Sequence, residues 1–198
     1  MYFKMDYTNA IKEYVRKITQ VMELWDIKEL NRAINAIENA RENNSEVIIF
    51  GNGGSASTAS HMANDLKSGS INEERTPWKV RCLCDNNAML TAIANDYGYE
   101  NVFVGQLMGT LDGSELIVAI SGSGNSINVI RAVEYARSQG CTIIALCGCG
   151  GGKLKHMADY CIESMIFDME ISEDLHLIFN HIQKCALGIK KTDNSSNG

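Results

Sequence analysis

Apolar residues in the first forty positions recur at three- and four-residue spacing, whereas from residue 46 onward they come in short solid runs between polar or glycine-rich turns. The first pattern is that of amphipathic helices with one buried stripe, and the second that of strands buried on both faces. Ile11, Val15, Ile18, Val21 and Met22 predict a helix over 6–24, and a second follows over 27–40 after almost no loop. The polar turn RENNSE then leads into EVIIFG, the first strand. Further strands are predicted at 79–84, 116–120, 142–146 and about 160–166. Helical patterns fill the gaps after Gly54, at 88–94, 100–110 and 127–138, after GCGGGK, and finally over 172–189. Strands alternating with helices imply an α/β fold, a three-layer α/β/α sandwich around a five-stranded parallel sheet with right-handed crossovers. The two leading helices have no strand of their own, so they cover the sheet layers or another subunit.

Length and composition narrow this picture without changing it. At 198 residues, with 45% hydrophobic and 21% charged positions, the chain suits one well-buried domain over 1–190. Within it, 1–44 form the N-terminal helices and 45–190 the α/β core, and the polar tail 191–198 is expected to be disordered. A formal charge of −6 leaves no basic footprint, which argues against nucleic-acid and anionic-membrane partners. No run is apolar enough to span a bilayer and the N-terminus lacks a signal-peptide core, so a cytoplasmic protein is expected. The seven cysteines are odd in number. Cys82-x-Cys84 and Cys147-x-Cys149 have gaps too short for a zinc knuckle or a thioredoxin motif, so reduced, mostly structural thiols are expected.

Candidate chemistry begins where the first strand ends. Gly51-Asn52-Gly53-Gly54-Ser55 carries the chain from strand to helix. Glycines there permit close backbone approach, the first helical N–H groups lack partners, and the helix dipole favours an anion. Ser55 adds a hydroxyl. Further along this helix His61 and Asp65 lie four residues apart, hence on one face and about 6 Å apart along the axis. A second turn, Ser121-Gly122-Ser123-Gly124-Asn125-Ser126, puts three hydroxyls beside another helix start. Both turns fall at the carboxyl edge of the sheet, where such folds bind ligands, and neutral donors there suit a phosphate monoester.

Two rival motifs fail on spacing. Gly51-x-Gly53-x-x-Ala56 matches a dinucleotide fingerprint, yet Asp85, the strand-end acid, lies 34 residues beyond Gly51 rather than about 20, and Glu73 and Glu74 fall in a loop. The stretch from Gly148 to Lys153 is one residue short of a Walker A loop, and Leu154 replaces the serine or threonine that would hold magnesium.

GNGGSA with His61, LTAIANDYGYENVF, SGSGNS with NVIRA, GGKLKHMADYCI and EDLHLIFNH together resemble the sugar isomerase (SIS) domain. Within that family the chain is most similar to phosphoheptose isomerases, which interconvert sedoheptulose 7-phosphate and D-glycero-D-manno-heptose 7-phosphate. The resemblance implies a flavodoxin-like five-stranded sheet, a homotetramer, and active sites built between subunits. It also implies that Ser55, Ser121, Ser123 and Ser126, with Gly53 and Gly54, bind the phosphate, while Asn52, Asn95 and Asp96 stand near the sugar. His61 and His181 match histidines of a catalytic metal site. Asp65 stands in place of a glutamate that is both ligand and base, Glu173 replaces a glutamine ligand, Gly122 a threonine, and Gly69 an arginine. The implied metal set is His61, Asp65, Glu173 and His181, for zinc or another divalent ion. The implied catalytic set is Asp65 or Glu173 as base and His181 as acid.

Helix geometry bears on that set. Glu173 and His181, eight residues apart on a straight helix, are about 12 Å apart along the axis and about 80° apart around it, a strain on bonds of about 2.0–2.2 Å to one ion. The two side chains are thus barely able to meet at one ion, so either Glu173 precedes the regular helix or one ligand comes from a neighbouring subunit. The function expected is ketose/aldose phosphate isomerisation through an enediol. Its alternative is a noncatalytic SIS module that senses a phosphosugar or binds a protein, as relatives do in regulating replication initiation and glucokinase.

Overall fold

The computed structural model describes residues 5–69 and 76–189. The polar tail, and Glu73 and Glu74, lie outside the described residues. In chain order the elements are α1 Thr8–Glu23, α2 Ile27–Glu42, β1 Glu46–Gly51, α3 Gly54–Gly69, β2 Lys79–Cys82 and α4 Asn87–Tyr97. After a 3₁₀ turn at Tyr99–Asn101 come α5 Val104–Leu107, β3 Leu116–Ser121, α6 Ile127–Ser138, β4 Thr142–Cys147, α7 Gly152–Lys155, β5 Tyr160–Glu163 and α8 Met169–Ala186.

The five strands are all parallel, in the order β2-β1-β3-β4-β5. Alternate side chains feed two cores. Val47, Ile49, Val118, Ile120, Ile144 and Leu146 pack under α1, α2, α3 and α8. Ile48, Phe50, Ile117, Ala119, Ile143 and Ala145 pack under α4 to α7 on the other face. Phe50 meets Phe103 there with ring centroids 5.0 Å apart. Each fully buried side chain of this size contributes about 1.5–3 kcal/mol. The leading helices thus cover the sheet: Trp25 donates its indole N–H to the Glu163 carbonyl at 3.1 Å, and Lys17 on α1 reaches Asp168 at 3.1 Å.

Three differences from the predicted elements have local causes. The edge strands β2 and β5 stop at Cys82 and Glu163, short of the predicted 84 and 166, since each has a partner on one side only. The stretch 100–110 is not one helix, because Gly98 and Gly109 adopt φ of +91° and +72° on either side of α5. Finally, α8 starts at Met169 rather than 172, with the Asp168 carboxylate accepting from the Ile171 N–H at its N-cap. Glu173 lies inside the regular helix with either start. Among the described residues no helix is long and apolar enough to cross a membrane. The seven cysteines are free thiols.

Candidate active site

The strand order places the topological switch between β1 and β3, and both glycine-serine turns leave the sheet at that crevice. Gly51 is required by packing: a Cβ there would lie 2.7 Å from Ser55 Cβ and 2.8 Å from the Ile120 carbonyl oxygen. The Ala56 N–H closes the first turn of α3 onto Gly53 at 3.0 Å, which leaves the earlier amides facing the crevice. In the second turn Gly124 donates to the Ser121 carbonyl at 2.9 Å, and Ser121 Oγ donates to Ser126 Oγ at 3.2 Å. Ser126 occupies the N-cap of α6 without a side-chain capping bond, so its hydroxyl is not spent on the helix.

The GCGGGK stretch braces this turn from behind. Gly148 and Leu154 donate their N–H groups to the carbonyls of Gly122 and Gly124, at 2.9 and 3.0 Å. Lys153 N–H donates to Asn125 Oδ1 at 3.1 Å, while Asn125 Nδ2 donates to the Ser123 carbonyl at 2.9 Å. A cavity of about 600 Å³ opens beside the pair of loops, lined by Ser123, Asn125, Cys149, Asp168, Met169 and Ser172 among others. Its floor accounts for Gly122, since the Met169 sulfur would lie 2.4 Å from a Cβ at that position and takes the room a threonine would need.

Asn52 ties the two loops together. It exchanges two 2.9 Å hydrogen bonds with Asn128, which is buried at the start of α6, and its Oδ1 also accepts from the Tyr99 hydroxyl at 2.8 Å. Asn128 and Tyr99 were not singled out in the sequence. Their signal was an amide one residue into the helix after SGSGNS, and a tyrosine inside NDYGYE. Asn95 and Asp96 bond to each other at 2.8 Å on the exposed end of α4, and neither bonds to a loop residue among those described.

On the other side of the crevice α3 and α8 run parallel, with Gly54 opposite Glu173, His61 opposite His181, and Asp65 opposite Asn180 and Lys184. His61 and His181 bring their Nε2 atoms to 3.3 Å, with rings 69° apart, and Asp65 Oδ2 lies 3.2 Å from His61 Nε2. The imidazoles are exposed and Asp65 is buried behind them, so the cluster opens outward. Asp65 Oδ2 also accepts from Asn180 at 3.0 Å, and Oδ1 from Lys184 at 2.5 Å. Burial pushes the Asp65 carboxyl up, but the Lys184 and Asn180 donors outweigh it and hold its pKa below the usual carboxylate value.

The spacing suits a metal. Bonds of about 2.0–2.1 Å at tetrahedral angles put neighbouring ligand atoms about 3.3 Å apart, which is the separation of the two Nε2 atoms and nearly that of His61 and Asp65. The three residues bring one ligand atom each within 4.8 Å of one another, so they could gather round a divalent ion with one position left open. Glu173 does not join them. Its carboxylate lies over Gly54, where a Cβ would come within 2.1 Å of Oε2, seven residues or about 10 Å up the helix pair from His61. The four-ligand set expected from the sequence is thus reduced to three within a chain, because Glu173 falls inside regular α8. Sequence reasoning missed Asn180 and Lys184, whose signal was spacing, Lys184 lying three residues after His181 and four after Asn180.

This fold and this crevice define a parallel α/β domain with its candidate site at the carboxyl edge of the sheet, and the chain belongs to the SIS domain family, whose model matches residues 6–148. Within it the chain is similar to phosphoheptose isomerases. The one from Rhodospirillum rubrum is 38% identical over 137 residues, covering 69% of this chain and 72% of its own. That from Aliarcobacter butzleri is 34% identical over 172 residues, covering 87% of this chain and 88% of its own. The solved structure of phosphoheptose isomerase GmhA from Neisseria gonorrhoeae superposes with a TM-score of 0.82 at 27% identity, covering 91% of this chain and 96% of that one.

Proposed function

We propose that the chain is a phosphoheptose isomerase, a ketose/aldose phosphate isomerase converting sedoheptulose 7-phosphate to D-glycero-D-manno-heptose 7-phosphate. The observation that carries the reading is the juxtaposition, across one crevice, of two serine-lined turns with a titratable cluster on the helix leaving the first turn. The turns anchor the phosphate through Ser55, Ser121, Ser123 and Ser126 and the unpaired amides at the starts of α3 and α6. Anchoring turns proton transfer at the far carbons into an intramolecular event.

Of the two candidate bases, Asp65 is the poorer, because both its oxygens are engaged and its pKa is lowered. Glu173 has no hydrogen-bond partner among the described residues and faces the crevice over Gly54. In this reading Glu173 takes the proton from the carbon beside the carbonyl. The C–H electron pair becomes the enediol double bond, and the proton returns to the neighbouring carbon as the hydroxyl and carbonyl exchange places. Charge developing on the carbonyl oxygen is met at the cluster. A divalent ion held by His61, Asp65 and His181, zinc by its donor set, would act as a Lewis acid. Where no ion is bound, His181 donates the proton.

Glu173 and the cluster stand at different levels of one chain, which supports a site completed by assembly. We place it in a cytoplasmic homotetramer, for which exposed Ile11 and Val15 on α1 and Phe167 before α8 supply apolar contact surface. The test is to incubate the protein with five-, six- and seven-carbon ketose phosphates and follow the aldose by NMR. Turnover of the seven-carbon substrate, lost in Glu173→Gln, is the expected result. Binding of the sugar phosphate without any isomerisation would leave the sensor reading in its place.

A further inference from the structure

Lys184 is the one cation in contact with the His61, Asp65 and His181 cluster among the described residues, and nothing in the proposed chemistry uses it. Its Nζ lies 2.5 Å from Asp65 Oδ1, with side-chain exposures of only 19% for Lys184 and 5% for Asp65. Asn180, fully buried, holds the other oxygen. The cluster therefore already contains a positive charge on the Asp65 oxygen opposite the one that faces His61. A divalent ion bonded to this carboxylate would face the ammonium across one carboxyl group, close enough that the like charges repel strongly in a half-buried setting. Both cannot be accommodated at full strength.

We propose that Lys184 is a built-in competitor for the divalent ion: its ammonium, fixed on one oxygen of Asp65, opposes an ion on the other oxygen and weakens its binding. The affinity of the site is then set by a residue outside the ligand set. This rests on the three-ligand geometry and not on the isomerase activity, which the test does not read.

Chelator-stripped wild-type protein, Lys184→Met and Lys184→Gln are titrated with zinc chloride by calorimetry near neutral pH, with His61→Ala as the control that removes a ligand. Lys184→Gln keeps a donor for Asp65 without the charge, and so reads the same competition should Lys184→Met fail to fold. Charge removal is expected to tighten zinc binding by about 10-fold or more, because a like charge one carboxyl group away is gone, an effect that outweighs the hydrogen bond to Asp65 lost with it. Metal-free Lys184→Met should also melt below wild type and gain more from zinc. Unchanged or weaker binding in the variants, with one zinc still bound per chain, would overturn the role of Lys184 and leave the metal site standing. No zinc bound by wild type or by either variant would overturn the metal site as well.

Discussion

Replacing Gly124 with alanine isolates what the brace behind the second turn contributes. Gly124 has φ of +62°, and a Cβ there would lie 2.0 Å from the Gly151 carbonyl oxygen and 2.5 Å from its carbon. Left-handed backbone costs an alanine about 1–2 kcal/mol. Real contacts essentially never fall below 3.0 Å, so the two loops must part by about 1 Å, which breaks the Leu154 to Gly124 hydrogen bond, worth about 1 kcal/mol. The sum is about 2–3 kcal/mol, or a melting temperature lower by about 4–12 °C in a domain of this size. The functional loss should be larger than this implies, because Ser121, Ser123 and Ser126 move with the loop, and about 1 Å of misplacement can cost 100-fold.

The assay is affinity for sedoheptulose 7-phosphate by calorimetry beside kcat/KM. Gly113→Ala is the control. That residue has φ of +93° and would place a Cβ 2.5 Å from the Gln139 carbonyl oxygen, a comparable insult at the opposite edge of the sheet. It should lower the melting temperature similarly while leaving affinity and kcat/KM within threefold of wild type. Equal loss of affinity in both variants, or full affinity in Gly124→Ala, would refute the reasoning.

Ser121→Ala with Ser123→Ala should weaken sugar-phosphate binding by about 3–6 kcal/mol, at about 1.5–3 per bond to a charged group; unchanged affinity by calorimetry would remove the phosphate assignment. Asp65→Asn should lower turnover through the loss of a metal ligand, with Glu173 still acting as base, and flatten the acid limb of thermal stability. A carboxyl whose folded pKa is depressed contributes stability that is present above its ordinary value near 3.8 and lost as pH falls through the lower folded value; a wild-type limb in melts below pH 4 would contradict this. Chains carrying His61→Ala and His181→Ala should not complement when co-assembled, because the two imidazoles meet within one chain. Glu173→Gln co-assembled with His181→Ala should regain up to about a quarter of wild-type activity, since each site draws its halves at random; the reverse pattern in mixed tetramers would show Glu173 acting within its own chain.

The sheet, its order and the two turns were legible because buried parallel strands write themselves as solid apolar runs and helix starts as glycine and serine. Element ends were less so. The early start of α8 is fixed by the Asp168 cap, whose aspartate reads in sequence like any loop acid. Glu173 lies inside the helix with either start, so it is the rise along α8 that separates it from His181 and takes it out of the ligand set. The cluster itself was half visible: His61 and Asp65 share a face of α3 by spacing alone. That His181 and Lys184 stand opposite them depends on α3 and α8 packing side by side as parallel neighbours, a tertiary fact that no local pattern encodes. Asn52 was expected near the sugar, but its carbonyl oxygen and one amide proton are already taken by Asn128 and Tyr99. A long-range pairing of this kind leaves no periodic trace.

The departures from the family pattern are met by neighbours rather than left open. Shortening a glutamate to Asp65 withdraws the carboxylate by about 1.5 Å, yet Oδ2 still stands 3.2 Å from His61 Nε2, so the cluster absorbs the loss. A buried carboxylate without partners would cost several kcal/mol, and here Lys184 and Asn180 satisfy it. The missing side chain at Gly122 is replaced in space by the Met169 sulfur. Asp65 with Lys184 and Asn180, and Gly122 with Met169, therefore leave neither an unpaired buried carboxylate nor a vacancy at this crevice.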